Sequence, residues 1–292
     1  MPTDLRTRRA KPPVAPTRPS ERGPDQGWVL LAALVAMLCV TGLMMVLSAS
    51  SVEALRSYGG AWIFFVRQLI WVAVGSIALI GTMALDYRKW KRVVRPAIGV
   101  SFVLLLLVLV PGVGITAGGS SRWLGAGSLR IQPSELAKLA VLLFTADLLT
   151  RRVDEVRDWR MVLRPVLLTT GLLAMLVLLQ PDMGTAMLMV LIVLVLLFVG
   201  GVPLFSMASV GAVTGAAAVV LAKVEGYRWD RISSFRDPFG NFSNTGYQVS
   251  QSLVALGTGH VGGVGLGASR AKWGFLPNAH TDFIFAIVGE EL

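Results

Sequence analysis

A carboxylate set among cations at the rim of an apolar run can take a proton from a hydroxyl while the cations receive a leaving group's charge. Asp282 has that setting. It closes Leu276-Pro277-Asn278-Ala279-His280-Thr281-Asp282, it precedes the apolar Phe283-Ile284-Phe285-Ala286-Ile287-Val288, and Arg270, Lys272 and His280 come shortly before it. A carboxylate at the start of an apolar helix can equally cap that helix and favour its dipole, so the two roles compete at this position. Arg228, Arg231, Arg236, Asp237, Gln248 and Gln251 place most of the remaining polar chemistry in the same stretch.

Other polar groups interrupt apolar surroundings, where an ionisable side chain costs about 2.5–3.5 kcal/mol on insertion scales and faces a cavity or a partner. Arg122 and Arg130 flank a loop with Trp123. A guanidinium presents a planar fork that grips phosphate oxygens, whereas the indole suits either a sugar face or the headgroup zone. Gln132-Pro133-Ser134-Glu135-Leu136-Ala137-Lys138 opens the next apolar run. Proline there suits a first helical turn, and Glu135 and Lys138 share a face as either a substrate-facing couple or a self-neutralising pair. Asp182, in Gln180-Pro181-Asp182-Met183-Gly184-Thr185, lies at a break between two runs, where it is a candidate ligand-facing acid or a cap. Gly257-Thr258-Gly259-His260-Val261-Gly262 matches a dinucleotide fingerprint in letters only, with no preceding strand and no βαβ unit around it. Gly262, Gly263, Gly265 and Gly267 instead suit close approach of backbone to backbone or to a ligand. His260 and His280 have no cysteine nearby and make a poor zinc set.

The elements that must position these residues are hydrocarbon spans. The chain of 292 residues is 54% hydrophobic and 15% charged, the composition of an all-α polytopic membrane protein, a multi-span helical bundle. Its net charge of +10 sits between apolar runs rather than on one face, which speaks for membrane orientation and against nucleic acid. The single cysteine, Cys39, excludes a disulfide within the chain. Residues 1–26 read as a basic, proline-containing disordered tail. Residues 27–222 read as seven spans, near 28–47, 61–85, 96–111, 133–149, 162–179, 183–199 and 203–222, the first a signal anchor rather than a cleaved signal. Residues 223–280 form a large loop, and 281–292 begin an eighth span. These last twelve residues would rise only about 18 Å, so the span is expected to continue past Leu292.

Charge orients the bundle. The tail, the Asp86–Arg95 stretch and the Arg151–Arg164 stretch carry six, five and five Lys/Arg, against only Arg56, Arg122 and Arg130 in the short loops of the other side. The positive-inside rule then puts the N-terminus in the cytoplasm and the large loop outside.

Five ordered blocks carry a resemblance. They are Ser121-Arg122-Trp123-Leu124 with Gln132 to Lys138; Gln180 to Thr185; Asp237-Pro238; Gly246-Tyr247-Gln248-Val249-Ser250-Gln251-Ser252-Leu253; and Ala279-His280-Thr281-Asp282-Phe283-Ile284-Phe285-Ala286 running to Gly289-Glu290-Glu291-Leu292. On these the chain after residue 27 resembles the SEDS family (shape, elongation, division and sporulation). Gly265-Leu266-Gly267, Ser269-Arg270, Lys272-Trp273 and Ile287 to Glu291 resemble its FtsW branch more than its RodA branch.

The resemblance implies ten spans and, in the cytoplasmic (inner) membrane, polymerisation of lipid II into glycan strands at the outer face during cell division. It implies a class B penicillin-binding protein of FtsI type and other divisome membrane proteins as partners. Asp282 matches the family's essential outer aspartate and would serve as general base. Arg122, Trp123, Arg130, Gln132, Glu135, Lys138, Asp182, Gln248, Gln251, Arg270, Lys272 and His280 would contact substrate. No cofactor is required by these residues, although a divalent cation, magnesium or manganese, is compatible with the chemistry. The chain departs from the family pattern at Asn278, where the block carries glutamate, and at Gly274, where some members carry an acid. A lipid II flippase or a non-catalytic divisome scaffold are the rival expectations. A transporter, however, should carry polar residues and broken helices near the midplane, whereas these polar groups lie towards one side.

Orientation is directly testable. With Cys39→Ala as background, single cysteines at Ser243 and Ala268 are expected to react with an impermeant maleimide on intact spheroplasts. Labelling only after lysis would reverse the topology.

Overall fold

The computed structural model describes residues 26–117, 120–126, 129–224, 229, 235–240 and 246–292. The expected tail, up to residue 25, and Arg228 and Arg231 lie outside the described residues.

In hydrocarbon every backbone N–H and C=O must be bonded within its own segment, and each long apolar run accordingly closes into a helix. The seven expected spans are α1 (Gln26–Tyr58), α2 (Ile63–Met83), α3 (Val94–Leu109), α4 (Pro133–Arg151), α5 (Arg164–Leu179), α6 (Met183–Val199) and α7 (Leu204–Val224). A one-turn π-helix, Trp159–Leu163, leads into α5. α1 runs a further three turns beyond the expected end near Leu47. Its Ser48-Ala49-Ser50-Ser51 stretch does not break the helix, because Ser50 and Ser51 Oγ donate back to the carbonyls of Val46 and Ser48. Among the described residues α8 (Tyr247–Gly259) and α9 (Ile284–Glu291) follow. The expected loop 223–280 therefore contains a helix of its own.

Among the described residues four helices are both long and apolar enough to cross a membrane, namely Gly27–Tyr58, Ile63–Met83, Trp159–Leu179 and Leu204–Val224. α3 and α6 are apolar but shorter, at 16 and 17 residues. α4 carries charge only near its ends, where Glu135 pairs with Lys138 and Asp147 with Arg151. The surface also identifies the solvent. Leu30, Leu38, Ile70, Ile77, Ile80, Phe198 and Phe205 stand exposed, and α2 buries none of its residues, an apolar exterior suited to lipid rather than water. The chain is a multi-pass membrane protein.

The chain divides into two compact units. In Ser76–Val249, α3, α4, α5 and α6 pack around Leu105, Val141, Val166, Leu173, Met189, Val193 and Leu197, all essentially without exposure. In Met1–Gly75 with Ser250–Leu292, a smaller core joins Met45 and Ala49 of α1 to Ala255, Ala271, Leu276, Ala279, Ala286 and Ile287.

An all-helical bundle was the expectation, but α3 and α4 are joined by an antiparallel three-stranded sheet: β1 (Ile115–Ala117), β2 (Ser120–Ala126) and β3 (Leu129–Ile131). Trp123 faces Ile115 in the first pairing, and Gly125 faces Arg130 in the second. The outer strands have three residues each, too few to show an alternating pattern in sequence. The sheet places Arg122 on β2 and Arg130 on β3 instead of on a free loop.

Candidate functional site

In the Ser76–Val249 unit the site residues collect where α5 breaks and α6 begins. Asp182 is the N-cap of α6: its Oδ1 accepts from Thr185 N at 3.1 Å and its Oδ2 from Thr185 Oγ1 at 2.9 Å. Gln132 Nε2 reaches the same Oδ2 at 3.5 Å, and Arg122 Nη1 lies 3.8 Å from it. Arg122 extends from β2 to donate Nε to the Gln180 carbonyl at 3.3 Å and Nη2 to the Pro181 carbonyl. These are carbonyls left without a helical partner where α5 stops. The buried Gln180 side chain in turn donates to the Leu105 carbonyl of α3 at 3.0 Å. The result is a clamp on the α5–α6 break.

Much of the hydrogen-bonding capacity that the sequence reserved for phosphate is therefore used by the fold. Arg122 offers a substrate only its partly exposed outer edge. Asp182 takes the capping role. Lys138 Nζ donates to Glu135 Oε1 at 2.7 Å, which realises the self-neutralising pair. Trp123 is half-buried on β2, and Arg130 is exposed on β3.

The second unit holds a buried polar cluster built on two consecutive acids at the end of α9, Glu290 and Glu291, 2% and 1% exposed. Glu291 Oε1 receives Lys272 Nζ at 3.0 Å, and Ser48 Oγ lies 2.8 and 2.7 Å from its two oxygens. The Lys272 ammonium completes its shell with the Gly267 carbonyl at 2.6 Å and Ser48 Oγ at 3.2 Å. Among the described residues Glu290 has no cation within ion-pair distance. It accepts from Ser269 Oγ, from the backbone N–H groups of Arg270 at 3.0 Å and Ala271 at 3.3 Å, and from Thr258 Oγ1 at 3.4 Å. Lys272, expected to face substrate, is instead an internal counter-ion. Its sequence signal was ambiguous because Glu291 appeared only as part of a matched block. Ser48, which the sequence reading did not single out, completes the cluster from α1.

Close backbone approach is found at Gly263, and at Gly259 as well, whereas a Cβ on Gly262, Gly265 or Gly267 would meet nothing within 4 Å. A Cβ on Gly259 would collide with the Gly289 carbonyl and one on Gly263 with that of Glu291, while Val264 N and Gly265 N bond the Glu290 and Glu291 carbonyls at 2.9 and 3.2 Å. Both departures from the family pattern fall on left-handed backbone, Asn278 at φ 54° and Gly274 at φ 105°. Asparagine and glycine tolerate that conformation better than glutamate does.

Asn278 starts the turn that delivers Asp282: its carbonyl accepts from Thr281 N at 3.1 Å and Phe283 N at 3.3 Å. His280 is held against the Phe64 ring, 5.2 Å between centroids. Asp282 itself is exposed, and among the described residues its side chain has no hydrogen-bond or ion-pair partner. α9 begins after Phe283 without a side-chain cap, so the carboxylate does not close the helix. Arg270 is exposed, and Gln248 and Gln251 are half-buried on α8. Among the described residues no three His, Cys, Asp or Glu side chains gather as a metal-binding group.

A family model described as "Cell cycle protein", covering FtsW, RodA and SpoVE, matches residues 29–292. A Mycobacterium tuberculosis relative named probable peptidoglycan glycosyltransferase FtsW is 40% identical over 92% of this chain and 51% of its own length. Stage V sporulation protein E of Bacillus subtilis is 38% identical over 90% of this chain and 72% of its own. A solved chain from work on polymerization and crosslinking by a peptidoglycan synthase complex superposes with a TM-score of 0.65 at 30% identity, covering 91% of this chain and 70% of that one. The chain thus spans about half the length of the mycobacterial relative.

The buried pair separates a structural Lys272 from a substrate contact. Lys272→Met leaves Glu291 buried without its cation and is expected to cost about 3–5 kcal/mol, read as a lower thermal midpoint in detergent; adding Glu291→Gln should recover most of it. A Lys272→Met protein as stable as wild type that has lost only substrate affinity would return Lys272 to the binding surface.

Proposed function

The chain belongs to the FtsW, RodA and SpoVE family of cell cycle proteins, and from that premise we propose that it acts in a peptidoglycan glycosyltransferase that polymerises lipid II at the outer face of the cytoplasmic membrane. The observation that carries the reading is Asp282: a carboxylate at the mouth of an apolar helix, exposed and without a partner among the described residues, next to a histidine fixed by an aromatic contact. A general base has to be open to its proton donor, and a carboxylate already occupied by a cap or a cation would not be.

In the proposed reaction Asp282 takes the proton of the acceptor sugar's hydroxyl as that oxygen bonds to the donor's anomeric carbon. The bond from that carbon to the diphosphate breaks with inversion, and the polyprenyl diphosphate leaves with the electron pair. The exposed guanidinium of Arg270 is the candidate to stabilise the developing charge. A divalent cation, magnesium or manganese, would have to draw oxygen ligands from the diphosphate itself, and no step here is routed through one. The N-terminus is cytoplasmic in this reading, and the partner is a class B penicillin-binding protein, in keeping with the relatedness to a synthase complex that couples polymerization to crosslinking.

Asp282→Asn tests the assignment, since the amide keeps volume and a capping oxygen but takes no proton. In the full-length protein with its partner, glycan-strand formation from lipid II is expected to fall roughly 10²- to 10⁴-fold while thermal stability and lipid II binding persist. A well-folded variant that polymerises at near wild-type rate would remove Asp282 as the base.

A further inference from the structure

At the membrane-surface end of α3 and α4, the 3₁₀ helix Tyr87–Arg92 carries Arg88, Lys89, Lys91 and Arg92 beside Tyr87 and Trp90. Asp86 caps it, accepting from Arg88 N at 2.9 Å, and holds the segment against the chain's entry into α3. Between this segment and α4 lies a groove of about 660 Å³. It is lined by Tyr87, Arg88, Trp90 and Lys91 of this segment and by Leu139 and Leu143 of α4.

We propose that this groove binds one anionic diacyl phospholipid, its phosphate on Arg88 and Lys91 and an acyl chain along Leu139 and Leu143. The groove joins basic side chains to apolar ones, the two chemistries a phospholipid presents, and Tyr87 and Trp90 are the residue types that favour the headgroup level. Asp147, the acid that also lines the groove, is neutralised by Arg151, whose Nε and Nη2 each lie 3.0 Å from its carboxylate oxygens, so the basic end keeps its positive field. The Arg88 guanidinium lies 5.9 Å from the Tyr87 ring centroid, which leaves its fork available to a phosphate. Charge clusters of this kind at the end of a spanning helix attract anionic headgroups. An orienting role alone would need the charges but no apolar groove continuous with them. The inference rests on the chain's spanning a membrane and not on its catalytic assignment.

Full-length protein in mixed micelles of equimolar phosphatidylglycerol and phosphatidylcholine, released for native mass spectrometry, gives the test. Wild type is expected to retain one phosphatidylglycerol in preference to phosphatidylcholine. Arg88→Gln with Lys91→Gln should lower that retention about tenfold, and Ala146→Trp, which fills the groove without changing charge, should lower it as well. Arg8→Gln with Arg9→Gln, which removes the same charge from the tail, should not, and soluble glycerol phosphate should not displace the lipid. The proposal is overturned if the tail pair lowers retention as much as the groove pair, if glycerol phosphate competes, or if the groove variants retain phosphatidylglycerol as wild type does.

Discussion

Two carboxylates withdrawn from water govern how the Asp282 segment is seated. Glu290 and Glu291 are buried at the end of α9, and a buried charge is tolerated only when its oxygens are met by donors. Those donors come from three places: Ser48 in α1, Thr258 in α8, and the Ser269–Lys272 stretch before the Asn278 turn. α9 can therefore settle in one position only, where all of them converge. Because α9 has eight residues, about 12 Å of rigid helix links these acids to the turn that presents Asp282. The location of the proposed base is fixed from the far end of its helix.

The same requirement explains the glycines. For Glu290 and Glu291 to reach backbone N–H groups, the loop after α8 must lie directly on the backbone of Gly289 to Leu292, and a side chain at Gly259 or Gly263 would hold it off. Within the segment that resembles a nucleotide fingerprint, Gly259 is thus required for closeness to another backbone rather than to a phosphate.

How much was legible follows from how local each feature is. The spans are continuous apolar runs, and their positions were readable to within a few residues; the exception is α1, whose serines bond their own preceding carbonyls and let the helix continue. The sheet was not readable, since strands of three residues carry no periodicity. Asp182 and the Glu135–Lys138 pair were readable only as alternatives, because a cap and a ligand-facing acid look alike in sequence, and partners such as Thr185 or Arg122 decide between them. The pairing of Lys272 was not readable for a related reason. Its counter-ion lies nineteen residues away at the end of an apolar run, a contact that no helical or strand spacing announces.

What remains is a distinction between polar groups that the fold consumes and polar groups that it leaves over. Arg122 closes the carbonyls of a broken helix, Asp182 caps the next one, Lys138 and Glu135 satisfy each other, and Lys272 neutralises Glu291. Each arrangement lowers the cost of keeping a polar group close to hydrocarbon, and each one thereby reduces what that group can offer a substrate. Asp282 escapes the constraint because its turn is closed by backbone bonds to the Asn278 carbonyl and its helix is anchored at the opposite end, so the carboxylate is needed for neither. A side chain whose backbone is held in place, yet which none of its surroundings uses among the described residues, has the freedom that the proposed reaction asks of it. That combination of fixed backbone and uncommitted carboxylate is what a preorganised base requires.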